Sequence, residues 1–272
     1  MRVFITGASG FIGRALCERY AADGHEVRGC DLVGDPARQV AAGDVAQPGP
    51  WQDCAAGSEL VIHTAATVSL RLERRDDIWR SYPDSKIAAE QVVLQAHLDD
   101  RVQCTVVRPG DVYGPRSRAW ATVPAELIRQ RRFVLPGLGR GIHSPVFIDN
   151  LVDGVVLAAA SPDAAGQVFT LSDGIGVPYR EFFAPYAELI GRRLVLLPTP
   201  VALGAAAVAQ RVARLQPGDN EVNPGSARYL LRRGTYSIEK ARKVLGWEPR
   251  VGLQVGLQRT VGWLGEQGFG AR

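Results

Sequence analysis

The chain has 272 residues, 46% hydrophobic and 22% charged, with a formal net charge of +4. That supplies enough apolar side chain for a sizeable core in one or two domains. The mild charge, with no basic run interleaved with aromatics, argues against a nucleic-acid surface. The longest apolar stretch, Val201 to Ala209, is too short to cross a bilayer.

In chain order, Met1-Arg2-Val3-Phe4-Ile5 is a β-branched apolar run and reads as a buried strand. It is the first apolar run, so no signal peptide is expected and the cytoplasm is the expected compartment. It passes into Thr6-Gly7-Ala8-Ser9-Gly10-Phe11-Ile12-Gly13, then into a helix over Arg14–Tyr20. Strand, glycine-rich turn and helix in that order form a phosphate cradle. The glycines let backbone approach a pyrophosphate, and the helix N-terminus offers unpaired N–H groups and partial positive charge. A dinucleotide is therefore expected at Gly7, Ser9, Gly10, Phe11, Ile12 and Gly13. The alternative is a tight turn that binds nothing.

Gly24 to Asp31 reads as a turn and a second strand ending in an acid. About 20 residues beyond a glycine turn, a carboxylate accepts hydrogen bonds from an adenosine ribose diol. It also repels the extra phosphate of NADP, so Asp31 favours NAD. Arg14 and Arg28 are cations that would suit that phosphate, and an Asp that merely closes a strand remains open. After a short third strand, Asp44-Val45 puts a carboxylate by the adenine amine. Leu60-Val61-Ile62-His63 reads as a strand opening into Thr64-Ala65-Ala66. Small residues there let a cofactor pass over the strand end, at His63, Ala65 and Ala66.

Val102 to Val107 is read as another buried strand, running into Arg108-Pro109-Gly110-Asp111-Val112-Tyr113-Gly114-Pro115. A helix at 124–132 precedes a Gly/Pro-rich stretch at 136–141. Then come a strand at 145–148, a helix at 149–160 and a strand at 168–171. Further helices are expected near 179–191, 200–214, 237–245 and 253–265. Ser237 is the N-cap of the third of these and Gly246 its stop. Strands alternating with helices predict a parallel sheet covered on both faces. Cys17, Cys30, Cys54 and Cys104 are far apart and read as reduced thiols, and neither they nor His25, His63, His97 and His143 have metal-ligand spacing.

Tyr82-Pro83-Asp84-Ser85-Lys86 opens a helix and sets a phenol and an ammonium four residues apart, on one helical face. A neighbouring cation favours the ionised phenol. Tyr82 can then exchange a proton with a substrate oxygen while a nicotinamide exchanges hydride. Lys86 lowers the phenol's pKa and holds the nicotinamide ribose. The same spacing recurs at Tyr236 and Lys240, where packing and a helix start explain it, so position and not spacing selects the first pair.

Together these residues resemble the extended short-chain dehydrogenase/reductase family, in its NAD-dependent epimerase/dehydratase and 3β-hydroxysteroid dehydrogenase-like branch. The match is carried by the T-G-x-x-G-x-x-G turn, His63-Thr64-Ala65-Ala66, Tyr82 with Lys86, and Arg108 to Pro115. Val146-Phe147-Ile148-Asp149-Asn150 and Lys240 to Pro249 extend it. The resemblance implies a Rossmann-type, doubly wound parallel α/β sheet with a small C-terminal substrate-binding lobe. Residues 1–115 with about 143–175 would form the NAD-binding domain, and 116–142 with 176–272 the lobe. It also implies that Pro109 to Val112 lie along the nicotinamide. A small-molecule substrate follows, and a homodimer is compatible with it.

One departure stands against these matches. The family carries a long helix, a strand bearing a catalytic Ser or Thr, and a loop between the His-x-Ala-Ala segment and the Tyr. Here only residues 67–81 fill that interval. A crossover helix with its loops needs about a dozen residues and a strand about five more, and the segment is too charged for a buried strand. One helix-plus-strand unit is therefore absent, leaving a sheet one strand short that neighbouring strands could close. Ser69, Thr67 and Ser81 are candidate substitutes for the hydroxyl. Ser69 is the first choice, with an ordinary loop serine as its alternative reading.

Three functions remain open. The first is an NAD-dependent oxidoreductase interconverting a secondary alcohol and a ketone on a hydrophobic or sterol-like substrate, slowed by the lost hydroxyl. The second is a nucleotide-sugar epimerase or dehydratase, with Arg116, Arg118 and Arg140 for the pyrophosphate. The third is a dinucleotide-binding sensor, or degenerate enzyme, without turnover.

Overall fold

Val3, Phe4 and Ile5 are all but inaccessible, so β1 (Arg2–Thr6) is an interior strand covered on both faces. The structure is a computed structural model describing residues 1–66, 75–213 and 224–270, with the side chains of 75–84, 210–213, 224 and 226 outside the description. β1 pairs in parallel with β2 (Glu26–Asp31) and with β4 (Leu60–His63). β3 (Val40–Ala42) adds beyond β2, giving the order β3-β2-β1-β4. The register sets Thr6 opposite both Cys30 and His63, so the carboxyl ends of three strands come level. α1 (Phe11–Ala22) buries Gly13, Leu16 and Tyr20, one stripe of a helix. α2 (Trp51–Ala55) brings the Trp51 ring 6.4 Å from that of Phe4. These elements belong to a compact unit, Met1–Thr67.

The second unit spans Val68–Arg272. It opens with α3 (Arg75–Leu98), β5 (Val106–Pro109), β6 (Asp111–Tyr113), α4 (Val123–Arg129) and β7 (Val134–Pro136). β8 (Ile142–His143), β9 (Pro145–Phe147), α5 (Ile148–Ala160), β10 (Val168–Leu171) and β11 (Val177–Pro178) follow. The remainder is α6 (Tyr179–Phe182), α7 (Ala184–Ile190), β12 (Val195–Leu197), α8 (Thr199–Ala213), α9 (Pro224–Tyr229), α10 (Glu239–Leu245) and α11 (Leu253–Leu264). Its strands pair as parallel β5–β10, β6–β9 and β7–β12 and antiparallel β8–β11. Its core is aromatic: Tyr113, Phe147, Phe182, Phe183 and Tyr186 are fully buried and meet mostly edge to face.

Chain order β4–α3–β5 keeps a strand–helix–strand sequence across the shortened interval. The parallel α/β class holds: in the first unit β4 pairs with β1 at one side of the four-stranded sheet, and in the second unit β5 pairs with β10. Three boundaries also differ from the sequence reading. β5 begins at Val106, and Val102 is half exposed at 52%. The helix expected over 179–191 breaks at Phe183, because Pro185 has no N–H to continue it. α10 starts at Glu239, with Ile238 in the cap position. Ser237 Oγ instead accepts from Glu239 N at 3.4 Å.

Candidate active site

The glycine turn of the first unit is built by close approach of backbone. Gly7 has φ of +71°, and its N–H donates to Cys30 O at 2.8 Å. A Cβ there would lie 2.8 Å from Ala65 N and 2.9 Å from Thr64 Oγ1. On Gly13 a Cβ would fall 2.1 Å from Gly7 O. Both positions therefore require glycine on steric grounds, and Gly10 hands the chain into α1 without a side-chain cap or a first-turn acid. The first-turn N–H groups of Phe11, Ile12 and Gly13 have no intrahelical acceptor, and they offer partial positive charge to an anion. The cradle fits a pyrophosphate by its own geometry.

Around it stand the other expected residues of this unit. Asp31, half-buried at the end of β2, accepts from Ser9 N at 2.9 Å and Leu32 N at 2.8 Å. Each carboxylate oxygen keeps a lone pair, so the acid both shapes the turn and can receive a ribose diol. Thr6, which the sequence reading passed over, ties two strand ends together. Its hydroxyl lies 2.8 Å from His63 Nδ1 and receives Ala65 N at 3.3 Å, while its carbonyl receives Thr64 Oγ1 at 2.6 Å. Asp44 is exposed just beyond β3 and accepts from Ala46 N at 2.9 Å; Val45 is half-buried beside it and Ala66 is exposed. Arg14 pairs with Glu18 and Arg28 with Glu26, so neither cation is offered to the turn. Arg38 is: its guanidinium donates to Ala8 O at 3.4 Å. No motif marked it, because its place depends on the loop between β2 and β3.

In the second unit, α3 carries Tyr82, and one turn later Lys86, on a continuous helix. The Tyr82 and Ser81 side chains lie outside the described residues, as do Thr67 and Ser69 altogether. Lys86 is half-buried, and burial pushes its ammonium pKa down. Arg108 on β5 clamps Glu90 on α3 with two hydrogen bonds, Nε to Oε2 at 2.9 Å and Nη2 to Oε1. This contact, unforeseen from sequence, fixes the Tyr82–Lys86 helix against the strand ending at Pro109. Pro109 is exposed and Val112 half-buried. The second Tyr–Lys copy is not a helical pair, since Tyr236 precedes α10 and Lys240 Nζ sits 5.0 Å above the Phe169 ring.

The second unit also holds a buried polar cluster that no sequence motif marks. Asp111 accepts from Tyr229 OH and Ser144 N, contacts Arg232, and lies 2.9 Å from His143 Nδ1. His143 is wholly buried against Trp120 and Phe182, and burial pushes its pKa down to about 3. Arg232 and Tyr229 already engage the carboxylate, so the imidazole stays neutral beside it.

Two family models match in succession. The NAD dependent epimerase/dehydratase family covers residues 3–81, and the 3-beta hydroxysteroid dehydrogenase/isomerase family covers residues 72–194. The chain is similar to a 4-hydroxy-2-methyl-3-oxo-4-farnesyl-3,4-dihydroquinoline-1-oxide ketoreductase of Stigmatella aurantiaca, 27% identical over 94% of this chain and 95% of that one. It is likewise similar to a 2-alkyl-3-oxoalkanoate reductase of Stenotrophomonas maltophilia, 26% identical over 95% and 98% of the two chains. Both alignments, of 318 and 327 positions, exceed this chain's own length, so each relative carries stretches this chain lacks. In fold it is similar to the UDP-glucose 4-epimerase of Thermotoga maritima, with a TM-score of 0.74 at 18% identity over 98% and 99% of the two chains.

Proposed function

We propose that this chain, which belongs to the NAD-dependent epimerase/dehydratase and 3β-hydroxysteroid dehydrogenase branch of the extended short-chain dehydrogenases, is an NAD-dependent oxidoreductase interconverting a secondary alcohol and a ketone. The uncapped glycine turn with Asp31 at its side carries this reading. The ketoreductase relatives support it. Gly7, Ser9, Gly10, Phe11, Ile12 and Gly13 hold the pyrophosphate, Asp31 the adenosine ribose, and Asp44 and Val45 the adenine. His63, Ala65, Ala66, Pro109 and Val112 line its course. When bound, NAD supplies the hydride acceptor or donor.

Tyr82 holds and moves the proton at the substrate oxygen. Lys86, whose partial burial raises the strength of its field, favours the phenolate and holds the nicotinamide ribose. Ser69 is the proposed donor to the oxygen that gains charge. Losing an oxyanion donor costs on the order of 100- to 1000-fold in rate, so a poorly placed Ser69 slows turnover without abolishing it. Residues 1–115 with 143–175 act as the cofactor domain. Residues 116–142 with 176–272 act as the substrate lobe, where apolar α8 suits a hydrophobic or sterol-like substrate. A cytoplasmic homodimer is the proposed setting.

NADH fluorescence titration, paired with turnover over simple ketones, sterols and nucleotide sugars, tests the reading. Turnover of an apolar ketone supports it. Preference for a nucleotide sugar moves the assignment to an epimerase, with Arg116, Arg118 and Arg140 on the pyrophosphate. Binding with no turnover on any class leaves a dinucleotide sensor.

A further inference from the structure

The second unit has a surface cavity of about 490 Å³ that the redox chemistry above does not use. Three segments wall it: the turn after β7, the start of α8, and the stretch following α9. Leu138, Pro198 and Leu231 give it an apolar lining, Thr199 a hydroxyl, and Arg140 and Arg233 two cations; among the described residues no acid lines it. Most arginines with described side-chain contacts in this chain are neutralised by a neighbouring acid, as in Arg129–Glu126, Arg242–Glu239 and Arg259–Asp149. Among the described residues Arg140 and Arg233 have no such partner. Two uncompensated guanidiniums brought to one apolar cavity from separate segments are a receptor for an anion on an apolar body.

The cavity is held in shape before any ligand arrives. Arg232 is the central clamp: its Nε donates to Ile142 O at 3.0 Å, and its carbonyl receives Ile142 N at 2.7 Å. Its guanidinium meets buried Asp111 and lies 4.3 Å above the Tyr229 ring. A Cβ on Gly141 would overlap Leu230 O, so only glycine lets the two segments press together. The residues flanking the clamp, Leu231 and Arg233, are thereby fixed on the cavity wall. On the facing wall Leu138 is held at φ 57°, ψ 28°, a left-handed conformation costing a branched residue about 1 to 2 kcal/mol. Strain of this kind persists where the surroundings enforce it and gathers at ligand sites.

We infer that this cavity binds a small amphipathic anion, its carboxylate or phosphate between Arg140 and Arg233 and its hydrocarbon along Leu138, Leu231 and Pro198. Among the described residues no aromatic ring lines the cavity to stack a base, which favours an aliphatic body over a nucleotide. That this anion is the enzyme's substrate rests on the oxidoreductase reading; that it binds does not.

Calorimetry at low salt with decanoate, decyl phosphate, decanol and UDP tests the site on the full chain. Both anions should bind at least ten-fold more tightly than decanol, and the tighter of the two identifies the head group. Arg140→Gln and Arg233→Gln, both at exposed positions, should each weaken anion binding roughly ten-fold and leave decanol unchanged. Arg242→Gln, the same charge change elsewhere, should have no effect. Equal binding of decanol and decanoate, indifference to both substitutions, or tighter binding of UDP would overturn the inference. Turnover supplies the separate arm: 9-oxodecanoate should show a lower KM than 2-decanone, and the double variant should erase the difference. Charge-selective binding with no NADH consumption on these ketones would retain the site and refute the anion as the enzyme's substrate.

Discussion

Two side chains on α3 and one on β2 carry the proposed chemistry. Tyr82→Phe keeps the ring and removes the proton. Turnover should fall by about 100- to 10,000-fold, the range for lost general acid–base catalysis, with NAD affinity within about two-fold by titration. A mutant as fast as the parent would remove Tyr82 from the mechanism. Lys86→Met should act in both measurements, because that ammonium is assigned to the ribose as well as to the phenol. Asp31 answers a different question. Its carboxylate opposes a 2′-phosphate, and Arg38 stands at the same turn through its bond to Ala8 O. Asp31→Ala should therefore weaken NAD and strengthen NADP, shifting their Kd ratio by about ten-fold or more. An unmoved ratio would show that Asp31 serves the turn alone.

At the scale of elements, the turn and the buried clamp make opposite demands. Gly13→Ala would set a methyl 2.1 Å from Gly7 O, between two pieces of backbone that cannot retreat. It should cost about 1 to 3 kcal/mol of stability as overpacking and abolish NADH fluorescence enhancement. Asp111→Ala leaves Arg232 without its buried acid, for about 3 kcal/mol, read as a lowered urea midpoint. The two positions also differ in how far the sequence announced them. The first was legible because strand, glycine spacing and helix are adjacent in the chain, so local sterics dictate the outcome. The places of Asp31 at the end of β2 and of Lys86 on α3 were legible for the same reason, each at a fixed distance from a local landmark. Asp111 was hidden inside a matching segment, because its partners Tyr229 and Arg232 come from more than a hundred residues away. Arg38 and Glu90 meet their partners, Ala8 and Arg108, across 30 and 18 residues, through a loop and a helix–strand packing that no motif marks. β5 starts four residues later than the sequence reading has it, since Val102 and Cys104 alternate with Gln103 and Thr105 as a strand would, and composition does not distinguish exposed Val102 from the paired strand that begins at Val106. The break before α7 is legible in Pro185, which has no N–H to continue the helix.

Stability of the whole molecule should reveal two buried groups whose effects on pH oppose each other. Asp173 accepts from Asn150 Nδ2 at 2.9 Å and from Phe147 N, yet burial pushes its pKa up to about 6 from 3.8. Between those values the folded chain holds a proton that the unfolded chain has lost, so this group makes stability fall as pH rises from about 4 to 6, by roughly 2 to 3 kcal/mol. His143 runs the other way. With its pKa pushed from 6.5 to about 3, the unfolded chain binds the extra proton, and stability falls as pH drops below 6.5. The two slopes overlap from pH 4 to 6 and offset one another, which predicts a nearly flat urea midpoint there in the parent chain. Removing either group should expose the other. Asp173→Asn should give a midpoint that climbs with pH across this window, and His143→Gln one that declines. Each variant will lose some stability from its altered hydrogen bonds, so the sign of the slope, and not the midpoint itself, is the deciding measurement. Parallel profiles for parent and both variants would mean that neither group keeps its perturbed proton affinity in the folded chain. The buried acid and the buried imidazole would then both be in contact with water.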